Sequence, residues 1–74
     1  MQPVLPETIP WPEVTRAWWA ALSDSPESKS WSVAQWLFLL DTALLHADIW
    51  SGNLDRLPEM RVRLIEFGFT PVSA

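Results

Sequence analysis

One central segment decides the fold of this chain. Residues 31–53 read WSVAQWLFLLDTALLHADIWSGN. Ser32 followed by Gln35 fits a capping box, in which the hydroxyl accepts from the third helical amide and the glutamine side chain reaches back. Trp31 and Trp36 occupy the two positions of a hydrophobic staple. Both signals place the start of a long helix directly after the serine.

This long helix is apolar on almost every side. Gly52 supplies the left-handed residue that commonly ends a helix, so we predict the helix over residues 33–51. One apolar face comprises Val33, Trp36, Leu37, Leu40, Ala43, Leu44 and Ala47, and the positions that widen it are Phe38, Leu39, Leu45 and Ile49. A helix that is apolar all round must be covered all round, which two further short helices can scarcely achieve. The sequence therefore predicts self-association or a protein partner.

A shorter helix is expected before the long one. Pro12 suits the first turn of a helix, and the apolar residues that then recur at helical spacing are Val14, Trp18, Ala21 and Leu22. This pattern predicts a first helix over about residues 12–23. The polar segment 23–30 contains a proline and is expected to form a loop or a single helical turn.

A third helix is expected over about residues 55–67. Asp55 is its predicted N-cap, which places a proline at the third helical position, where no intrahelical hydrogen bond is lost. Glu59 and Arg63 stand four residues apart in the orientation that favours an ion pair. Gly68 supplies the stop, and the apolar stripe of this helix comprises Leu57, Met60, Leu64 and Phe67.

The N-terminal stretch differs from the rest of the chain. Residues 1–12 contain four prolines, which fix the backbone near polyproline geometry and remove hydrogen-bond donors. We therefore predict an extended arm over residues 1–11 and a single helical domain over residues 12–71. No strand-period alternation is found. The predicted fold class is all-α, a small bundle of three helices with an extended, proline-rich N-terminal arm.

The composition excludes several classes of protein. The chain has 74 residues, of which 49% are hydrophobic and six are tryptophan, with a net charge of −4 and no cysteine. This length fits one small domain, and disulfide or thiolate sites are excluded. The acidic balance argues against a chain that coats DNA through its own charge. No signal-peptide pattern opens the sequence and the long apolar segment carries charged residues, so no membrane partner is expected.

Residues with catalytic or metal-binding chemistry are few. His46 is the only histidine, with Thr42 one turn before it, and no third group that would orient such a pair is evident. We interpret it as a histidine at the edge of the core, bonded to Thr42 or to a neighbouring element. Asp41 and Asp48 share a face of the long helix, with their carboxylates about 10 Å apart. We interpret them either as a solvated or subunit-facing stripe or as partners of an arginine from the third helix. We therefore predict no enzyme, no metal, no cofactor and no small-molecule substrate.

The basic residues are concentrated near the third helix. Arg56 and Arg63 share a face of that helix, whereas Arg61 points elsewhere, so one chain offers only a narrow patch. A ring of subunits would repeat that patch as a continuous band. Surface ion pairs with neighbouring glutamates are the alternative interpretation. The candidate DNA-binding residues are Arg16, Arg56, Arg61 and Arg63.

An interface with another protein chain is expected from the excess of apolar side chains. Trp18 and Trp19 are adjacent and point about 100 degrees apart on a helix, so they cannot both fill one narrow core stripe. One of them is expected to contact a partner. The candidate residues for an oligomer or partner interface are Trp18, Trp19, Phe38, Leu45 and Ile49.

An ordered set of short motifs resembles a known family. In chain order they are Trp11-Pro12-Glu13, Arg16-Ala17-Trp18-Trp19, Ser25-Pro26, Trp36 within Leu39-Leu40-Asp41-Thr42-Ala43-Leu44-Leu45-His46, Trp50-Ser51-Gly52, Glu59-Met60-Arg61-Val62-Arg63 and Phe67-Gly68-Phe69-Thr70-Pro71. Together they resemble the small terminase subunits of phages and prophages of actinobacteria over about residues 8–71.

The resemblance implies a non-catalytic DNA-packaging factor. Small terminase subunits form rings, recognise the packaging start on viral double-stranded DNA, and hand the DNA to the large terminase subunit, which carries the ATPase and the nuclease. The implied partners are therefore further copies of the chain, the large subunit and viral DNA. The implied location is the cytoplasm of the bacterial host, with the protein encoded by a phage or prophage. Relatives usually carry basic tails that this sequence does not match, so DNA binding by one chain alone is expected to be weak.

Two other functions compete with this one. The first is a small helical adaptor that binds another protein through exposed aromatic residues and does not contact DNA. The second, a small hydrolase that uses His46, ranks far behind. A helix-turn-helix formed by the second and third helices also stays open, although the third carries glutamates as well as arginines.

Overall fold

The computed structural model describes residues 2–69 and contains three α-helices joined by short turns. The helices are α1 (Glu13–Asp24), α2 (Val33–Trp50) and α3 (Leu57–Phe67), and the turns contain 3₁₀ segments at Pro26–Ser30 and Leu54–Arg56. No strand occurs within the described residues. The predicted all-α bundle of three helices is confirmed. The predicted domain end at residue 71 lies outside the described residues.

Helix α2 begins and ends as its local sequence predicts. The Gln35 amide donates to Ser32 Oγ at 3.2 Å, and the Ser32 amide donates to Gln35 Oε1 at 2.7 Å, which completes the capping box. The rings of Trp31 and Trp36 meet edge to face at 4.9 Å, as a hydrophobic staple requires. Gly52 follows the helix with a φ of 116°. A side chain at this φ would be strained, so glycine ends the helix here.

Helix α3 begins one residue later than the predicted N-cap implies. Asp55 is not its N-cap but lies inside the preceding 3₁₀ turn, where the Arg56 amide donates to the Asn53 carbonyl at 3.3 Å. That turn tightens the backbone before Leu57, so the proline that follows falls at the second helical position, where its missing N–H costs nothing. Gly68 ends the helix with a φ of 111°, as predicted.

The core side of α2 matches the predicted apolar face only in part, since Trp36, Ala43 and Ala47 are buried as expected. Val33, Leu37 and Leu44 were expected inside, but they are 73%, 51% and 46% exposed. The buried side chains are Trp36, Leu39, Thr42, Ala43, His46, Ala47 and Ile49. The helix is rotated so that Thr42 and His46 face the interior, because both find hydrogen-bond partners on the other helices.

Helix α1 is rotated from the expected face for a related reason. Its buried residues are Thr15, Trp19 and Leu22, whereas Val14 and Ala21, which were expected to face the core, are exposed. Thr15 replaces an apolar residue in the buried row because its hydroxyl bonds a histidine of α2. A buried hydroxyl with a partner carries little cost, so the polar residue is accommodated.

The N-terminal arm packs against the helices and joins their core. Leu5 and Trp11 are 7% and 6% exposed and belong to the same hydrophobic cluster as the buried residues of α1 and α2. Carbonyls of the proline-rich arm accept from tryptophan side chains: Trp19 Nε1 donates to Pro3 O at 3.0 Å and Trp11 Nε1 to Pro6 O at 2.8 Å. These bonds satisfy the polar ends of buried indoles. None of the described helices is long and apolar enough to cross a membrane.

Candidate functional site

The single histidine lies in a cluster formed by α1 and α2. His46 Nδ1 is 2.8 Å from Thr15 Oγ1, and the His46 ring stacks on Trp18 with centroids 4.8 Å apart and planes 18° apart. Trp50 stands one turn further along α2, with its ring centroid 6.3 Å from the imidazole. His46 is 7% exposed and bonds a neighbouring helix rather than Thr42. Sequence reasoning missed Thr15, whose only signal was a polar residue in an otherwise apolar row.

Burial of His46 makes the stability of the fold depend on pH. Burial lowers the pKa of His46 from its ordinary value of 6.5, because the charged form is poorly solvated inside the protein. The unfolded chain then binds the proton more readily than the folded one, so stability falls as the pH drops below about 6.5 and the histidine of the unfolded chain titrates. We expect the urea midpoint to be lower at about pH 5 than at about pH 7.5.

The His46→Gln variant is the control for this pH dependence. It removes the only imidazole and leaves every carboxylate in place. Its urea midpoint should therefore change little across the same interval. A midpoint that falls equally in both proteins would show that His46 is not the responsible group.

Arg56 closes the turn between α2 and α3. Its Nε lies 3.3 Å from Asp48 Oδ2 and its guanidinium donates to Glu59 Oε1 at 3.1 Å. Asn53 also donates to Asp48, at 3.0 Å. Of the two environments expected for this aspartate, the structure has the ion pair with an arginine near the third helix. All three charged side chains are about half exposed, so each pair stabilises the turn only modestly.

Arg63 of α3 contacts α2. Its Nε donates to Thr42 Oγ1 at 3.0 Å and its terminal nitrogen to Phe38 O at 3.3 Å. The guanidinium carbon lies 4.3 Å from the centroid of the Phe38 ring, in the position of a cation–π contact. The predicted ion pair between Glu59 and Arg63 is wrong. Arg63 lies on the flank of α3 that faces α2, whereas Glu59 pairs with Arg56.

The structure divides the four candidate DNA-binding arginines into two that are engaged within the chain and two that are not. Arg56 and Arg63 are engaged with side chains or carbonyls of the same chain. Arg16 on α1 and Arg61 on α3 are exposed and make no hydrogen bond or ion pair within residues 2–69. Lys29, in the turn after α1, is also exposed. The charges that remain available are thus spread over three elements.

The expected interface residues divide into two groups. Trp19 and Ile49 are only 5% and 6% exposed, so the chain itself covers them. Trp18, Phe38 and Leu45 are half-buried. The Phe38 ring is already engaged within the chain, by Phe67 of α3 at 5.9 Å and by the guanidinium of Arg63 at 4.3 Å.

Two apolar strips that the interface prediction missed lie on the outer sides of α2 and α3. The α2 outer strip comprises Val33, Leu37, Asp41 and Leu44. The α3 outer strip comprises Leu54, Pro58, Arg61, Val62 and Ile65, and continues from the preceding turn into the helix. The large apolar members are between 46% and 73% exposed. Each strip follows the three- and four-residue spacing of one helix face, and each carries one charged residue.

A shallow groove adjoins the α2 outer strip. Its lining residues come from the arm, from the last turns of α2 and from the turn that follows, and they are Ile9, Pro10, Leu44, Leu45, Ala47, Asp48, Ser51 and Arg56. Within residues 2–69 no group of three or more histidine, aspartate or glutamate side chains is placed to hold a metal ion.

Comparison with known proteins identifies a family that the chain matches. A family model described as "Phage terminase small subunit" matches residues 1–73. No curated protein and no solved structure matches the chain significantly. The match extends from the proline-rich arm through all three helices.

Proposed function

Because the chain belongs to the phage terminase small-subunit family, we propose that it is a non-catalytic, oligomeric factor of viral DNA packaging. In this role it recognises viral double-stranded DNA and hands it to the large terminase subunit. It would act in the cytoplasm of a bacterial host, encoded by a phage or prophage. The observation that carries the proposal is the family match over residues 1–73.

The exposed apolar surface supports assembly of several copies. A small protein rarely leaves large contiguous apolar surface in water unless another molecule covers it. The two outer strips leave six large apolar side chains about half exposed or more on two adjacent helices, and these are Val33, Leu37, Leu44, Leu54, Val62 and Ile65. Further copies of the chain are the partners that the proposed ring supplies.

The environment of His46 supports a structural rather than a catalytic role for it. Its Nδ1 is occupied by Thr15 and one ring face is covered by Trp18. A general base needs a ring nitrogen within reach of a substrate proton, and this imidazole is 7% exposed. The histidine therefore serves the contact between α1 and α2.

Contact with DNA would depend on assembly. One chain carries a net charge of −4, so it is repelled by phosphate at long range. Arg56 and Arg63 are engaged, and Arg61 stands within an apolar strip, which is a setting typical of protein contacts. Arg16 and Lys29 remain as the cations on which DNA contact would rest. A ring repeats them, and several weak contacts on one molecule add up to a strong one.

Two measurements on the same preparations test this function. Light scattering coupled to size exclusion should give the full-length chain a defined mass of several copies. Arg16→Ala should keep that mass but lower the affinity for double-stranded DNA and reduce its salt dependence, because one phosphate contact per chain is lost.

Glu13→Ala is the matched control. It removes a negative charge one turn before Arg16, also on the exposed side of α1. If DNA approaches this side of the helix, this variant should bind DNA more tightly than the unmodified chain. A monomeric mass at every concentration would contradict assembly. If neither substitution changed the affinity for DNA, this face of α1 would not be the DNA contact.

A small adaptor is the second candidate function. Trp50 is 61% exposed, and Trp18, which stacks on the same histidine ring that Trp50 approaches, is half-buried. Such aromatic residues are enriched at protein interfaces. An adaptor would stay monomeric, would not bind DNA, and would shift its tryptophan fluorescence to the blue when its partner is added. The mass and DNA measurements above distinguish it from the packaging factor.

A further inference from the structure

We propose that copies of this chain associate head to tail through the two outer strips. The α2 outer strip of one copy packs against the α3 outer strip of the next, and Asp41 of the first copy pairs with Arg61 of its neighbour. The inference rests on the proposed function, since it assumes that the chain assembles. It adds which surfaces meet and which residues select them.

The α2 outer strip places a carboxylate between two leucines. Leu37 lies one turn before Asp41 and Leu44 one turn after it, and the two leucines are 51% and 46% exposed. Asp41 is itself exposed and has no hydrogen bond or ion pair within the part of the chain that the structure describes. This carboxylate therefore marks the centre of an apolar row that the chain does not cover.

The α3 outer strip has the complementary composition. Arg61 is exposed and without a polar partner in the described range, with Pro58 one turn before it and Ile65 one turn after. Ile65 is 50% exposed, and Val62 beside the arginine is 55% exposed. Arginine is the cation best suited to such a position, because its weakly hydrated guanidinium pairs with carboxylates at interfaces.

The spacing of the two strips matches when the helices run antiparallel. Leu37 and Leu44 stand four residues before and three after the aspartate. Pro58 and Ile65 stand three before and four after the arginine. Each pair spans seven residues, about 10 Å of helix. With one direction reversed, Leu37 therefore meets Ile65 and Leu44 meets Pro58 while the two charges face each other.

Charge disfavours the pairing of either strip with itself. Two α2 outer strips in antiparallel contact would place Asp41 against Asp41, and two α3 outer strips would place Arg61 against Arg61. Like charges at the centre of a dry contact are strongly unfavourable, whereas the mixed pair is attractive. The central charges therefore select the contact between unlike strips.

The two outer strips of one chain cannot pack against each other. Helices α2 and α3 meet through their opposite sides, where Arg63 contacts Thr42 and Phe67 stacks on Phe38. The partner must be another copy. A contact between two different surfaces is heterologous, and its repetition closes a ring or extends a filament. Arg61 thus serves assembly in this arrangement rather than DNA contact.

Charge reversal tests the proposed pair. Asp41→Arg and Arg61→Asp each place like charges at every contact, so each variant should lose the assembled mass and elute near the 8.5 kDa of a single chain. The double variant Asp41→Arg/Arg61→Asp restores opposite charges at every contact and should regain the assembled mass. An equal mixture of the two single variants should also rise above the single-chain mass, because every junction between unlike chains then joins opposite charges.

Asp24→Arg is the matched control, since it makes the same change in charge at the exposed end of α1. It should leave the mass unchanged, and circular dichroism should show native helix content in all variants because both substituted positions are exposed. Single variants that stay assembled, or that dissociate without rescue in the double variant and the mixture, would overturn the pairing while leaving the proposed function intact. A single-chain mass for the unmodified protein would overturn both.

Discussion

Replacing Trp36 by alanine is expected to remove a large share of the stability of this fold. The side chain is 2% exposed and lies edge to face against Trp19 at 5.5 Å and Trp31 at 4.9 Å. Truncating a buried tryptophan costs about 3 to 5 kcal/mol, because the cavity that remains is only partly filled. Small domains have only about 0.05 to 0.15 kcal/mol of stability per residue, which is about 4 to 11 kcal/mol for 74 residues, so this loss is a large share of the total.

Urea unfolding followed by circular dichroism measures this loss. Trp50→Ala is the matched control, since the same side chain is truncated where it is 61% exposed, and its effect should stay below about 1 kcal/mol. Similar losses in the two variants would contradict the assignment of the core to the aromatic cluster.

A third substitution distinguishes the contribution of the Trp36 ring to stability from that of its indole N–H. Trp36 Nε1 is buried and has no hydrogen-bond partner within residues 2–69. Trp36→Phe keeps an aromatic ring and removes an N–H whose desolvation cost is not offset by a hydrogen bond. It should therefore retain much more stability than the alanine variant. An equally large loss would show that this N–H bonds a group of the native protein.

Both ends of α2 and the C-terminal end of α3 could be predicted because their causes are local. The capping box of Ser32 and Gln35 lies within four residues, and the two glycines act through their own backbone angles. The rotation of α2 could not be predicted in this way. Apolar residues surround that helix, so their period does not select a face. Thr42 and His46 select it, through partners 21 and 31 residues away in sequence.

The candidate site was predicted only in part for the same reason. The sequence identified every arginine but not which of them the fold would engage. Arg56 and Arg63 are engaged by Asp48 and Thr42, whereas Arg61 stays exposed one turn from an exposed isoleucine. Whether an arginine is available depends on residues that only the folded chain brings near. Composition did indicate surplus apolar surface, but its location followed from the rotation of the helices.

Arg63→Ala is expected to have the second largest effect on the stability of a single chain. The substitution removes two hydrogen bonds from a charged donor and the cation–π contact with Phe38. Hydrogen bonds to charged groups contribute about 1.5 to 3 kcal/mol each when buried. Because Arg63 is only half-buried, we expect a total loss of about 2 kcal/mol in the free energy of unfolding.

The geometry of the guanidinium, and not only its charge, carries this effect. Arg63→Lys keeps the charge but lacks the planar fork that reaches Thr42 and Phe38 together, so it should recover little of the lost stability. Arg16→Ala is the control, because that side chain has no polar partner within the described residues. The partners of Arg63 are a hydroxyl, a carbonyl and a ring face, none of which carries a charge. The loss should therefore persist at high salt, where the ion pairs of Arg56 weaken. A lysine variant as stable as the unmodified chain would show that charge alone joins α3 to α2.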